Sequence, residues 1–561
     1  MKNPAQKSAP ETGPALAPAY IPTVPNMLRH ARDAYHDQTW LIRGDERVSY
    51  HEAEQRSSRL ALALIKAGIG KGSRVAVVLP DGPDWVISWL ACSRIGAVFV
   101  PLSTMSTARE LGWLIQHSDA ALLIVARDFL RHDYALKLQE IFPGFTEGSQ
   151  QYLAQAPYLR RIVMLGSDVP TWATPLQSFL NAVISTPALN ALYLENMETQ
   201  VTPGDVATII YTSGTTADPK GVVHSQGAMV RHSYALHLLE GRSPGEKALN
   251  AIPLFWVGGF VFQMMKSLHA GCAIVTPESR DLARIIALIK EERISILDGW
   301  MDGFDKMRQH PDFNEADFDF VKPALAPFGF RAPLGHDGVP VPLNRLPNSL
   351  GQSETLGPHT KAREGTLLEG HQVGSFGFGI PGLQHMIVDP DTGAECERGK
   401  PGEIFIRGYA VMLGYYKKER EECFTVDGFH RSGDSGHFDA DGHLYFLGRR
   451  GEMIKTIGTN VSPREVESVI AQLPYVAEVA VVGLPDEQLG EIVAAAIVLK
   501  EDAQVLDVPA LHAYLKRELS HYKIPRRYAV VRADEMPRTS GGKIKKSQLI
   551  AGLDFSGLIE A

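Results

Sequence analysis

From Tyr50 onward the apolar positions follow two alternating rhythms. Helix-like spacing over residues 53–67 is followed by an unbroken apolar run at 75–79, helix-like spacing over 84–95 and a second run at 121–125. Short continuous apolar runs between amphipathic helices predict strands of a parallel sheet covered on both faces, because a strand buried on both sides has no polar face to alternate. The pattern returns at 206–211, and a helix predicted over 282–292 leads into a further apolar run at 294–297. Between residues 323 and 382 the text turns dense in Gly, Pro and His with little periodicity, which predicts long functional loops. After about Arg450 the style changes to a helix over 463–473, strands near 476–482 and 493–499, a helix over 508–519 and a strand near 528–531.

The fold class predicted is α/β: a large N-terminal α/β domain with covered, mostly parallel sheets, and a small mobile α+β C-terminal domain. Residues 1–22, rich in Pro, Ala and Lys, read as a flexible tail; 23–450 form the large domain and 451–561 the small one. Gly448 and Gly451 flank a pair of arginines at the changeover, where a backbone hinge is easily accommodated.

Composition narrows the function classes. Among the 561 residues 44% are hydrophobic and 21% charged, ordinary globular usage that excludes wholesale disorder. The formal net charge of −8 carries no basic excess, so no nucleic-acid partner is expected. Cys92, Cys272, Cys396 and Cys423 lie far apart without metal or disulfide spacing. No run reaches the ~18 apolar residues of a membrane span, and the start lacks the basic-then-apolar order of a signal peptide. A cytoplasmic protein without an integral membrane segment is expected; a homodimer is left open.

The most informative string is YTSGTTADPKG, residues 211–221, directly after a predicted strand. Thr212, Ser213, Gly214, Thr215, Thr216 and Lys220 combine hydroxyls, flexible backbone and a cation, the chemistry of a loop that wraps phosphates. It is not a Walker A loop, since GxxxxGK[ST] is matched nowhere.

That string resembles the phosphate-binding signature of the acyl-adenylate-forming superfamily, and four further segments resemble the family's motifs in order. Gly351, Gln352, Ser353 and Glu354 resemble YGxTE; Ser432-Gly433-Asp434 resembles TGD; Gly448-Arg449 with Ile454-Lys455 and Gly458 resembles the hinge; Pro537 to Lys543 resembles the catalytic-lysine segment. The resemblance spans roughly residues 25–550. It implies ATP, Mg²⁺ and coenzyme A as a co-substrate, with a small carboxylic acid activated as acyl-AMP and passed to CoA. Lys543 would screen the reacting anions, Glu354 and Thr216 would hold the metal, Asp434 and Arg449 the ribose, and Gly458 would lie beside the pantetheine tunnel. Alternatives are an acyl-AMP ligase that loads a carrier-protein thiol and a catalytically weak acyl- or nucleotide-binding homologue.

Three departures bear on the site. Gly451 stands where the hinge usually has a charge. Leu350 replaces the aromatic residue expected beside adenine, so Phe330 or Arg331 is expected to supply a stacking surface instead. Trp256 stands where relatives often have histidine; with Val257, Gly258, Phe328 and Gly329 it is expected to line a slot for a hydrophobic fatty, aromatic or cyclic, steroid-like acid.

Overall fold

The computed structural model describes residues 16–560, apart from 131, 149, 213–218, 298–302, 328, 336–337, 451–452, 457–458, 487–489, 501–504, 520–522, 539–543 and 553–558. Its centre is an eight-stranded sheet in the order Gly414–Tyr415, Lys220–Ser225, Val206–Thr212, Val98–Pro101, Arg74–Val78, Leu122–Ala126, Arg161–Leu165 and Thr174–Pro175. Pairing is parallel from Val206–Thr212 to Thr174–Pro175 and antiparallel at the other edge. The central strands Arg74–Val78 and Leu122–Ala126 are buried almost throughout, as their continuous apolar runs require.

Local signals set the helices that cover this sheet. Tyr50–Lys66 opens on a capping box between Ser49 and Glu52, and Ala108–His117 on one between Thr107 and Glu110. In each, the hydroxyl accepts an N–H bond and the glutamate returns one, satisfying backbone donors that a helix start leaves orphaned. Trp85 and Trp89 on Pro83–Arg94 meet the edge of Phe260 at ring distances of 5.0 and 5.3 Å, locking that helix to the π-helical turn Gly258–Met265.

Smaller sheets flank this layer. A four-stranded antiparallel sheet runs Leu383–Val388, Gly402–Gly408, His430–Phe438, Leu444–Arg449, and a three-stranded one joins Leu350–Gln352, Gly357–Lys361 and Phe378–Gly379. Beyond residue 453 the hairpin Val476–Asp486 with Gly490–Leu499 dominates a sheet covered by Pro463–Ile470 and Val508–Glu518, and its core clusters draw only on residues 454–549. A large α/β part and a smaller α+β part are therefore both present.

Two expectations need correction. The apolar run at 294–297 makes only an isolated parallel bridge, Ile296 to Ala248, at the edge of a three-residue strand too short to template a longer ladder. Part of the predicted tail makes contacts with the body: Leu16 packs against an apolar cluster and the Tyr20 hydroxyl lies 3.3 Å from His269 Nδ1, while Ala17, Ala19 and Ile21 between and beside them are exposed. Averaged composition hid these two anchoring side chains.

Candidate active site

The hydroxyl-rich string sits where Val206–Thr212 turns into Lys220–Ser225, which pairs with it antiparallel. Residues 213–218, hence Ser213, Gly214, Thr215 and Thr216, lie outside the described residues. The flanks are fixed: Thr212 is paired with Lys220, and Val222 pairs with Tyr415 on the edge strand. The Lys220 ammonium stands 4.9 Å from the centre of the Tyr415 ring, and the Tyr415 hydroxyl donates to Glu354 Oε1 at 2.8 Å. Burial, reinforced by the Glu354 carboxylate, holds the Tyr415 phenol well above its ordinary value of 10, so it stays a proton donor at neutral pH. Tyr415 thus ties the hairpin that carries the hydroxyl-rich string to Glu354.

Glu354 is half-buried, in a one-turn helix that follows Leu350–Gln352. Its backbone is pinned from two sides: His224 Nε2 lies 2.7 Å from the Ser353 carbonyl, and the Met412 N–H donates to the Glu354 carbonyl at 2.8 Å. Gly351 is demanded by close approach, since a Cβ there would stand 2.4 Å from the Gly357 carbonyl carbon across the strand pair.

Asp434 and Arg449 are direct partners in the ladder between His430–Phe438 and Leu444–Arg449, and Arg449 Nε lies 2.9 Å from Asp434 Oδ1. The aspartate side chain is 3% exposed and the arginine 47%, so a buried acceptor is presented beside a cation that still reaches solvent. The left-handed Gly433, at φ 73°, shapes the preceding turn. Arg449 also acts electrostatically on Tyr415 and, with Glu354, on His430, which draws the three motif regions into one neighbourhood.

Beside them opens a cavity of about 410 Å³ lined by Val257, Gly258, Gly329, Gly351 and Gln352 among others. Trp256, Phe330 and Arg331 are absent from its described lining. Phe330 instead lies in an aromatic core with Phe304, Phe313 and Phe318 at ring distances of 5.8, 6.0 and 5.4 Å, with the Arg308 guanidinium over it at 5.4 Å. That setting suits packing rather than an open stacking platform. Arg331 is exposed and donates to the Asp319 and Val321 carbonyls at 2.6 and 3.2 Å. Leu350 is buried in a core cluster with Phe376 and Ile404.

Phe328, Gly451, Gly458 and Lys543 lie outside the described residues. Around Lys543 the flanks are drawn together: Arg538 and Ile544 form an antiparallel bridge and the Lys545 N–H donates to Pro537 at 2.7 Å. Sequence reasoning missed Tyr415 and the ionic residues of the cavity, Glu240, Arg242, Lys322, Lys361 and Glu364. A pair of tyrosines at 415 and 416 far from any motif gave no signal of its own; only strand pairing brings it to the site.

Comparison with known proteins bears on the family and the fold. A family model described as AMP-binding enzyme matches residues 28–416, and one described as AMP-binding enzyme C-terminal domain matches 465–543. The chain is 30% identical over 529 residues to indoleacetate–CoA ligase of Aromatoleum aromaticum, covering 92% of this chain and 96% of that one. It is 28% identical over 544 residues to a Rhodococcus jostii CoA ligase for a methyl-dioxo-octahydroindenyl propanoyl group, covering 94% and 98%. Among solved structures, ATP-bound MatB from Rhodopseudomonas palustris shares the fold with a TM-score of 0.73 at 23% identity, over 94% of this chain and 98% of that one. With both family models in order and relatives aligned along nearly its whole length, the chain belongs to the acyl-adenylate-forming superfamily of AMP-binding ligases.

Proposed function

We propose that the protein is an ATP-dependent carboxylate–CoA ligase for a bulky, largely apolar acid. The observation that carries this reading is the convergence of Lys220, Tyr415, Glu354, Asp434 and Arg449 beside a cavity of about 410 Å³. In the first half-reaction a carboxylate oxygen attacks the α-phosphorus of ATP, the bond to pyrophosphate breaks and acyl-AMP forms. In the second, the CoA thiol gives up its proton and attacks the acyl carbon, the bond to the AMP oxygen breaks and AMP leaves. Splitting one difficult condensation into two displacements lowers each barrier.

Both reactants of the first step are anions, so positioned cations dominate the chemistry. Lys220, on the hairpin, is assigned phosphate oxygen, and Lys543 the carboxylate and α-phosphate. Asp434 accepts from ribose hydroxyls with Arg449 beside it. Glu354 fits a hard cation, because Tyr415 engages Oε1 and the carboxylate offers Oε2 as well. With Thr216 it would hold Mg²⁺, which when bound neutralises phosphate charge.

The cavity volume suits an acid with rings, and the acids in the names of the Aromatoleum and Rhodococcus relatives support the same class. The test measures pyrophosphate and AMP release from a panel of fatty, aromatic and cyclic acids, with and without CoA, and identifies the thioester by mass. CoA-dependent thioester formation is expected. Pyrophosphate release indifferent to CoA overturns the choice of acceptor in favour of a carrier-protein thiol; silence with every acid overturns the ligase reading.

A further inference from the structure

One wall of the acyl cavity is a thin partition. Between strand Lys247–Leu249 and the π-helical turn Gly258–Met265 the chain runs through residues 250–257 with hollow space on both sides. Ile252 and Val257 line the cavity of about 410 Å³, whereas Asn250, Ala251 and Pro253 line a second one of about 120 Å³ behind it, together with Asp81, Thr276 and Arg280. A segment with voids on both faces loses part of the hold that close packing gives. Its polar contacts then carry more of its placement.

Two of its N–H groups are held by side chains from different elements. The Ile252 N–H donates to Gln263 Oε1 at 3.3 Å, and the Leu254 N–H donates to Asp81 Oδ1 at 2.9 Å. Gln263 belongs to the π-helical turn, on which the partition already rests: a Cβ on Gly259 would collide with the carbonyl oxygens of Ile252 and Pro253. Asp81 comes from elsewhere, the turn between central strand Arg74–Val78 and helix Pro83–Arg94, where Gly82 takes a φ of 143°. The Gln263 bond thus references the partition to its own continuation, and the Asp81 bond references it to the central sheet. Burial raises the Asp81 carboxyl to about 6, with the Leu254 N–H, Arg280 and Arg43 drawing it down, so at pH 7.5 the acceptor is a carboxylate. A hydrogen bond to an ionised acceptor is about twice as strong as a neutral one.

We infer that Asp81 is a positioning residue for the acyl cavity: its bond to Leu254 fixes the partition, and with it the slot that Ile252, Val257 and Gly258 form with Gly351 and Gln352. The inference rests on the carboxylate–CoA ligase reading. Released from Asp81, the partition has room to shift into the rear cavity. The acid is then held in looser register with the nucleotide, and small misplacements of a reacting group are costly. Asp81 itself lines only the rear cavity among the two, so it acts through the wall and touches no substrate.

The test measures KM for the acid and KM for ATP by pyrophosphate release, using the acid of highest kcat/KM in the panel. Asp81→Ala is expected to raise KM for the acid at least about tenfold and to leave KM for ATP within about twofold. Asp81→Asn keeps an oxygen for the Leu254 N–H and is expected to stay within about threefold of the wild type in both. Neither KM depends on the fraction of a preparation that folds. Should Asp81→Ala yield no folded protein, Asp81→Glu serves in its place: it keeps the charge, displaces the acceptor by one methylene, and is expected to raise KM for the acid at least about threefold with ATP unmoved. An unchanged KM for the acid overturns the inference, as does an equal rise in both KM values or an Asp81→Asn variant as impaired as Asp81→Ala. Each of these leaves the ligase reading intact, because turnover is still seen. No pyrophosphate from the wild type with any acid sinks the ligase reading, and the inference with it.

Discussion

The two ends of the candidate site are built differently. At the proposed adenylate end the groups assigned to the nucleotide come from short strings rich in glycine and hydroxyl residues, and the contacts join neighbouring strands: Thr212 with Lys220, Val222 with Tyr415, Asp434 with Arg449. At the proposed acyl end the ionic groups are single residues from separate elements, Glu240 and Lys266 from helices, Arg242 from the loop that follows Gln226–Glu240, Lys361 from a strand. The first arrangement is local and reads as motif; the second exists only once the chain has folded. Chemistry shared by a family can be stored in strings, whereas selectivity for one acid is stored in packing.

The comparison breaks most visibly at Glu240. Replacing it by Gln removes the buried carboxylate that Arg242, Lys266 and Lys361 share, and removal of one member of a buried ionic cluster typically costs about 3–5 kcal/mol. Urea denaturation is expected to show a loss of that order for Glu240→Gln. Glu354→Gln, at the half-buried adenylate end, should cost less than about 1 kcal/mol of stability while abolishing most turnover. Equal losses at the two positions would erase the distinction.

Next in size is Lys543→Ala. Removal of a group that stabilises developing charge lowers the rate by about 10²–10³-fold. Pyrophosphate release should fall by that factor with every acid alike, and the denaturation midpoint should hold. A loss confined to one class of acid would instead make Lys543 part of acid selection.

Acid sensitivity gives a third measure. His224, His232 and His385 are fully buried behind the Glu354 segment, and burial lowers them from 6.5 to about 4, about 3 and about 4. Unfolded, each binds a proton as pH falls through 6.5; folded, each resists until far lower. Stability is therefore complete above 6.5 and drains away as pH drops towards 4, on the order of 3 kcal/mol for a histidine held at about 4. Thermal scans should show the midpoint falling over that window, and His385→Asn should flatten the slope.

Tyr415→Phe tests the link that strand pairing alone creates. A hydrogen bond to a charged group is worth about 1.5–3 kcal/mol, so kcat/KM for ATP should drop about 10–100-fold. A positioning role further predicts that the Mg²⁺ dependence shifts to higher concentration while acid selectivity stays put. Unchanged metal dependence would reduce Tyr415 to packing.

How much was legible follows the same division. Apolar runs located the parallel strands at 75–79 and 121–125 to within a residue, because a strand buried on both faces admits little else. The glycine- and hydroxyl-rich strings are where the sequence points to an adenylate end, and at Gly351 close backbone approach leaves little choice of residue. Tyr415 escaped because its role comes from pairing with Val222 far upstream, and Lys361 because a lysine in a Gly- and Pro-rich stretch reads as solvated. Phe330 shows the converse: beside a family motif it suggested a nucleobase platform, yet three phenylalanines and an arginine surround its ring. Aromatic chemistry alone does not separate a binding face from a core.

The smallest effect is expected at Trp256. Its side chain is half-buried and meets Phe255 edge-on at 5.2 Å, while Val257 and Gly258, the next two residues, line the cavity. A wall residue changes selectivity through the volume it occupies, and one methylene in such a pocket is worth about 1–3 kcal/mol. Trp256→Phe should leave the ranking of acids unchanged within about threefold, whereas Val257→Phe, which adds a ring inside the cavity, should cut kcat/KM for ringed acids by at least about tenfold and spare short acids. If the two substitutions traded places, the acyl end would be written in the motif-adjacent residue after all, and the contrast between a local adenylate end and a packed acyl end would fail at its most direct point.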